Sequence, residues 1–183
     1  MKKSKAHLYA QKQTTTPTHI TTAYQGHHID VQVETVDLPE GPKTYDLVCH
    51  PGAVAILPIT DDGRIILIEQ WRRAIKQILL EIPAGTLEPG EDPELCAIRE
   101  LQEEIGYKPT KLTLMATFFS APGFCNEKIH LYLATGLIPS KLTGDDTDCI
   151  DTVYYTLDEL NDLIQKGLIH DAKTLIALKL YGK

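Results

Sequence analysis

Glu100, Glu103 and Glu104 stand within one short stretch, RELQEE, of a 183-residue chain. If that stretch is helical, residues three and four apart share a face, with roughly 5–6 Å between neighbouring Cβ atoms. Three carboxylates then meet at one place. They also fall in the last turn before Gly106, where the negative end of the helix dipole disfavours each anion by roughly 0.3–1 kcal/mol. Arg99 can reach Glu103 but neutralises only one of the three. The arrangement calls for further cations, and an all-oxygen donor set suits a hard divalent ion, Mg²⁺ or Mn²⁺.

Taken alone, E-x-x-E-E is more often a solvated helix face, because Glu favours surfaces. What precedes it shifts the balance. Residues 83–91 (PAGTLEPGE) form a loop whose glycines permit tight turns and close approach to a ligand. Loop and carboxylate helix are thus joined in one segment.

Gly85, Glu91, Arg99-Glu100-Leu101, Glu103-Glu104 and Gly106 stand at the spacing of the Nudix box, and on these residues the chain resembles a Nudix hydrolase. Tyr107 departs from the bulky aliphatic residue usual at the final position, a packing position. The resemblance implies an α+β fold, the Nudix α/β/α sandwich with a mixed sheet, here preceded by an N-terminal antiparallel β-hairpin region. It implies Glu100 and Glu104 as principal metal ligands, with Glu103 and the backbone carbonyl of Ala84 completing the set, and Arg99 and Glu91 orienting them. The implied reaction is metal-assisted attack of water on a pyrophosphate, releasing two monophosphates.

Further stretches resemble the ADP-ribose pyrophosphatase branch of that family. In residues 120–127 (SAPGFCNE) the placement of Pro122 matches, and the resemblance makes Glu127 the group that positions or deprotonates the attacking water; the alternative is an ordinary surface-loop carboxylate. Residues 69–73 (EQWRR) are similar to the branch's E-Q-aromatic-R segment. Arg72 is then expected to contact a phosphate or the terminal ribose, since a guanidinium offers forked donors. Trp71 either stacks on a base or packs in the core. Residues 80–85 (LEIPAG) match the branch as well, where Glu81 binds metal or ribose or braces the loop. One departure concerns the base: many members carry Arg just before H-P-G-A-V, whereas Tyr45-Asp46 precedes His50-Pro51-Gly52-Ala53-Val54 here. Adenine would instead stack on Tyr24, on Tyr45 or on a residue of a second subunit, because the branch commonly exchanges its N-terminal hairpin in a homodimer.

The expected substrate is a small nucleoside diphosphate derivative, foremost ADP-ribose cleaved to AMP and ribose 5-phosphate. GDP-mannose, another nucleotide sugar or a nucleoside polyphosphate is the sibling alternative. A reading of a different class, a non-catalytic nucleotide-binding regulator, would show a broken glutamate set or an added basic helix pair. Neither is present in the sequence.

The elements that must position these residues are legible in outline. Asp92 is a capping residue, Pro93 suits the first helical position, and Leu95, Ile98, Leu101 and Ile105 recur at helical spacing, so the pattern predicts a helix over 92–105 ended by Gly106. Alternation in 28–36 and 44–49 around LPEGPK predicts a hairpin. Residues 53–59 and 64–69, joined by an Asp-Gly turn, read as core strands, and 112–119, 129–137 and 151–155 as further strands. Helices over 157–166, with Leu160, Leu163 and Ile164 inward, and over 172–180, capped by Asp171, close the chain. Residues 1–22 are rich in Lys, Thr and Gln with little periodicity, so a weakly ordered leader is expected before one domain over 23–183 whose N-terminal strands fill about 23–50.

Composition sets the outer limits. The chain is 43% hydrophobic and 23% charged with a formal net charge of −7, which opposes bulk binding to nucleic acid or to an anionic membrane. Cys49, Cys96, Cys125 and Cys149 have no C-x-x-C pairing, and no apolar run is long enough for a membrane span or signal peptide, so free thiols in a cytoplasmic protein are expected. Residues 144–148 (GDDTD) lack the full calcium-loop pattern and read as a solvated loop, and the histidines have no metal-ligand spacing.

Overall fold

The computed structural model describes residues 4–14, 18–144 and 149–182. Two compact units emerge: Met1–Pro51 with Ala121–Glu127, and Gly52–Ser120 with Lys128–Lys183.

In the first unit, the stretch expected to be a weakly ordered leader contains helix α1 (Lys5–Thr14) and most of strand β1 (Thr18–Gln25). Lys12 pairs with Glu40 at 2.6 Å, and the Tyr9 and Tyr45 hydroxyls lie 2.7 Å apart. β1 joins the expected hairpin of β2 (Asp30–Leu38) and β3 (Gly41–Cys49) as an antiparallel sheet in the order β1-β2-β3. Gly41 takes φ 116° beside the turn, a conformation that L side chains rarely adopt. The segment Ala121–Glu127 belongs to this unit because it is tied to the end of β3: Val48 N–H donates to the Phe124 carbonyl at 2.7 Å, and His50 N–H donates to Asn126 Oδ1 at 2.7 Å.

Among the described residues, the second unit holds seven strands in two sheets. One runs β7-β4-β9-β8, with β4 (Ala53–Pro58), β7 (Ala84–Thr86), β8 (Tyr107–Phe119) and β9 (Lys128–Pro139); the other runs β10-β5-β6, with β5 (Ile65–Arg72), β6 (Gln77–Glu81) and β10 (Ile150–Tyr155). β4 and β9 are parallel, so the first sheet is mixed. Every residue of β4 is buried, and period-two alternation sends its side chains to two cores. Ala53, Ala55 and Leu57 join Ile65, Leu67 and Leu131 in a core with helices α3 (Leu157–Gln165) and α4 (Ala172–Tyr181). Val54 and Ile56 join Ile66 and Ile68 in a core with helix α2 (Pro93–Glu104). Helices on both faces make the α/β/α sandwich, and each fully buried Leu or Ile contributes roughly 1.5–3 kcal/mol.

One side chain of the expected helix lies on the other side. Leu95 does not face the core; it is 64% exposed, and the buried face of α2 is Cys96, Ala97, Glu100 and Leu101. Cys96, Ala97, Leu101 and Ile105 pack into the core, with Glu100 on the same side, so the buried face is centred on smaller residues than the expected Leu and Ile set. The acidic loop falls largely on residues 145–148, outside the described residues. Among the described residues, no helix is long and apolar enough to cross a membrane.

Candidate active site

Asp92 starts α2 as expected, accepting the Glu94 and Leu95 N–H groups at 2.9 and 3.3 Å, with Pro93 next. Gly106 stops it with φ 76°. The helix length between these marks delivers Arg99, Glu100, Glu103 and Glu104 to its last two turns. Facing them is the short strand β7, which pairs with β4 through Ala84↔Ala55 and Gly85↔Val54. The glycine leaves room for Glu100 in this position: a Cβ on Gly85 would lie 1.8 Å from the Glu100 carboxyl carbon, which would then have to move.

Arg99 makes further contacts besides the expected one with Glu103. Its Nε and Nη2 donate to the two oxygens of Glu91 at 2.9 and 3.0 Å, and Nη1 donates to Glu100 at 2.6 Å and to Glu103 at 3.1 Å. One guanidinium therefore spans three carboxylates. The bidentate bond from Arg99 holds the Glu91 carboxyl down at about 2. Beneath it, burial pushes the Cys96 thiol well above its ordinary range, so this cysteine is inert packing.

Glu104 stands apart from that network. Its Oε2 accepts the Ala84 N–H at 3.0 Å, and burial, reinforced by the Glu100 charge, pushes its pKa up to about 8. Burial likewise raises Glu100 against the pull of Arg99. Two inward carboxylates one turn apart are thus costly to ionise without added positive charge. Among the described residues, no three His, Cys, Asp or Glu side chains already converge as a cage. Arg99 engages the oxygens of Glu100 and Glu103, and Glu104 faces the Ala84 backbone, so a cation would compete with Arg99 for its donors. The donor chemistry still fits a hard divalent ion: carboxylates only, set against a backbone strand whose glycine leaves room.

Arg72 and Glu81 form the neighbouring cluster. Ile68 pairs with Glu81 and Arg72 with Gln77 across the β5–β6 hairpin, which puts both side chains on one face. Arg72 Nε and Nη2 clasp the Glu81 carboxylate at 2.7 and 2.8 Å. Glu81 is buried to 1% exposure and also takes the Lys173 ammonium, which in turn reaches Asp171 at 2.8 Å. Two cations, one from β5 and one from α4, thus hold the Glu81 carboxylate. Trp71, on the opposite face, is 51% exposed beside Ile78 on the paired strand and is not core.

Tyr45 and Glu127 belong to the first unit. The Tyr45 ring carries the Lys43 ammonium 5.0 Å from its centroid. Glu127 lies 3.8 Å from His50 Nε2. Sequence reading missed Lys173 and Thr174, and gave Asp171 only a capping role. Glu81 and Lys173 are separated by 92 positions, and no local pattern links them.

A NUDIX domain model matches residues 50–178. The chain is 41% identical over 159 residues to an ADP-ribose pyrophosphatase of Bacillus subtilis (strain 168), covering 85% of this chain and 86% of that protein. It is 40% identical, with the same coverage, to a methanol dehydrogenase activator of Bacillus methanolicus. A crystal structure of an ADP compounds hydrolase superposes with a TM-score of 0.81 at 27% identity, covering 91% of this chain and 92% of that one. The chain belongs to the Nudix family and is a Nudix hydrolase.

Proposed function

We propose that the protein hydrolyses the pyrophosphate bond of ADP-ribose, or of a closely related nucleoside diphosphate sugar, in a Mg²⁺-dependent reaction giving AMP and ribose 5-phosphate. The observation that carries the reading is the pair of inward carboxylates, Glu100 and Glu104, against the Ala84–Thr86 strand, with Glu104 raised to about 8. The choice of substrate is supported by similarity to an ADP-ribose pyrophosphatase over 85% of the chain.

In this reading Glu100 and Glu104, with Glu103 and the Ala84 carbonyl, hold Mg²⁺, or Mn²⁺ in its place. The bound ion supplies neutralisation of the pyrophosphate oxygens and activation of water near neutral pH. Arg99 and Glu91 orient the carboxylates through the contacts described above. Arg72 keeps a fixed guanidinium for a phosphate or the terminal ribose, with Glu81 as its anchor. Trp71 and Tyr45 are candidate contacts for the base or sugar, and Glu127 is the candidate base that takes the proton of the attacking water. Water adds to one phosphorus, the bridging P–O bond breaks, and each product leaves as a monophosphate.

A homodimer in the cytoplasm completes the proposal. The dimer is supported by the resemblance of the chain to a branch whose N-terminal hairpin commonly crosses to a second subunit, and the compartment by cysteines without disulfide spacing. Light scattering tests the first. The activity is tested by following AMP and ribose 5-phosphate release from ADP-ribose beside GDP-mannose at matched Mg²⁺. Preferred turnover of ADP-ribose is expected; failure to cleave any nucleoside diphosphate derivative would sink the reading.

A further inference from the structure

The end of β6 is gripped at two adjacent residues by the first turn of α4. At Glu81 the grip is on the side chain: Lys173 reaches the same carboxylate that Arg72 clasps, and Asp171 steadies Lys173 at 2.8 Å. At Ile82 it is on the backbone. The N–H of this fully buried residue donates to the Thr174 hydroxyl at 2.8 Å, and that hydroxyl donates to Asp171 Oδ2 at 2.5 Å. Asp171 also accepts the Thr174 N–H at 2.9 Å as the cap of α4. Lys173 and Asp171 keep only 12% of their side chains exposed, and Thr174 keeps none of its surface.

From Ile82 the chain runs directly into the site. The Pro83 carbonyl accepts the Ile56 N–H at 2.8 Å, and the next residue, Ala84, donates its N–H to Glu104. No slack separates the α4 grip from the backbone that meets the carboxylates. Losing the Thr174 hydroxyl would leave a buried N–H without its acceptor, and the strand would have to shift to find another. A shift of about 1 Å is enough to degrade a catalytic geometry.

We propose that Thr174 and Lys173, which lie outside the Nudix box, are positioning residues for the active site: through Ile82, Thr174 sets where the Ala84 backbone of the cation site stands, and through Glu81, Lys173 sets where the Arg72 guanidinium stands. The inference rests on Glu100, Glu104 and Ala84 forming that site. Groups hydrogen-bonded directly to metal ligands typically change metal affinity or activity by about 10–100-fold when lost, and Thr174 acts one link further out, so the low end of that range is expected.

The test is Mn²⁺ binding to the intact protein by calorimetric titration without substrate, together with kcat and KM at saturating Mn²⁺. Thr174→Val, of similar shape but without the hydroxyl, is expected to bind Mn²⁺ about 10-fold more weakly, and Thr174→Ser to restore binding. Lys173→Met leaves the Thr174–Ile82 bond in place and is expected to raise KM for ADP-ribose through Arg72, with Lys173→Arg recovering part of it. If Thr174→Val does not fold, the Lys173 pair carries the test. A folded Thr174→Val protein with Mn²⁺ affinity unchanged within about twofold, or a folded Lys173→Met protein with unchanged KM, would overturn the assignment, because the network would then serve stability alone. Glu104→Gln separates the layers: if it binds Mn²⁺ as tightly as the unmodified protein, the cation site itself is wrong, whatever Thr174 and Lys173 do.

Discussion

The Glu100 carboxyl carbon occupies the space a Cβ on Gly85 would need, 1.8 Å from where that atom would be built. The φ of Gly85 is not in the left-handed region, so its glycine character answers to this contact and not to a turn. Gly85→Ala should force Glu100 off its inward position. The expected outcome is a kcat at least about 100-fold lower, with Mn²⁺ binding lost in the same proportion. Near-full turnover in the purified variant would show that Glu100 need not lie against the strand.

Arg99 and Glu91 form a two-pronged pair that a lysine cannot reproduce. Arg99→Lys keeps the charge, yet it should lower kcat by about 10–100-fold because Glu100 and Glu103 lose their shared anchor. Steady-state kinetics at saturating metal checks this, and a variant with unchanged kcat refutes the orienting role.

The same pair predicts acid behaviour. The Glu91 carboxyl falls from its ordinary 4.5 to about 2 on folding. Its stabilising contribution is therefore complete above about 4.5 and lost as pH drops toward about 2. Melting temperatures measured downward from pH 5 should fall more steeply for the unmodified protein than for Glu91→Gln. Parallel curves would mean that the bond to Arg99 adds no net stability.

Glu104 runs the other way. Its carboxyl rises from 4.5 to about 8, so folding favours its protonated form, and the metal-free protein should lose stability as pH climbs through that interval. Mn²⁺ at pH 8 should restore the melting temperature by binding the ionised folded form. Glu104→Gln should flatten the pH dependence and abolish most of the metal effect. A pH-independent melt for the unmodified, metal-free protein would contradict the burial seen here.

Arg72 tests substrate recognition. Arg72→Lys loses the fork that fits both Glu81 and a phosphate, so KM for ADP-ribose should rise by about 10-fold while kcat changes less. An equal loss in kcat at unchanged KM would move Arg72 from binding to the chemical step.

The local parts were legible from the chain alone. Asp92, Pro93 and Gly106 bound α2 through backbone chemistry that needs no partner, and the spacing of Glu100, Glu103 and Glu104 follows from the helical repeat. The strand alternation and the Asp-Gly turn between β4 and β5 were legible for the same reason. Other features follow from packing between elements distant in the chain. Which side of α2 faces inward depended on the packing of Cys96, Ala97, Leu101 and Ile105 against the strands, so Leu95 ended up outside despite its apolar side chain. The reach of Arg99 to Glu91 crosses from the helix to the loop before it, and the meeting of Glu81 with Lys173 joins a mid-chain strand to the last helix. Charge pairing and burial act through space. Sequence periodicity reports only neighbours along the chain, so the counter-charges that decide which carboxylates are easy to ionise became visible only once the strands and helices were packed.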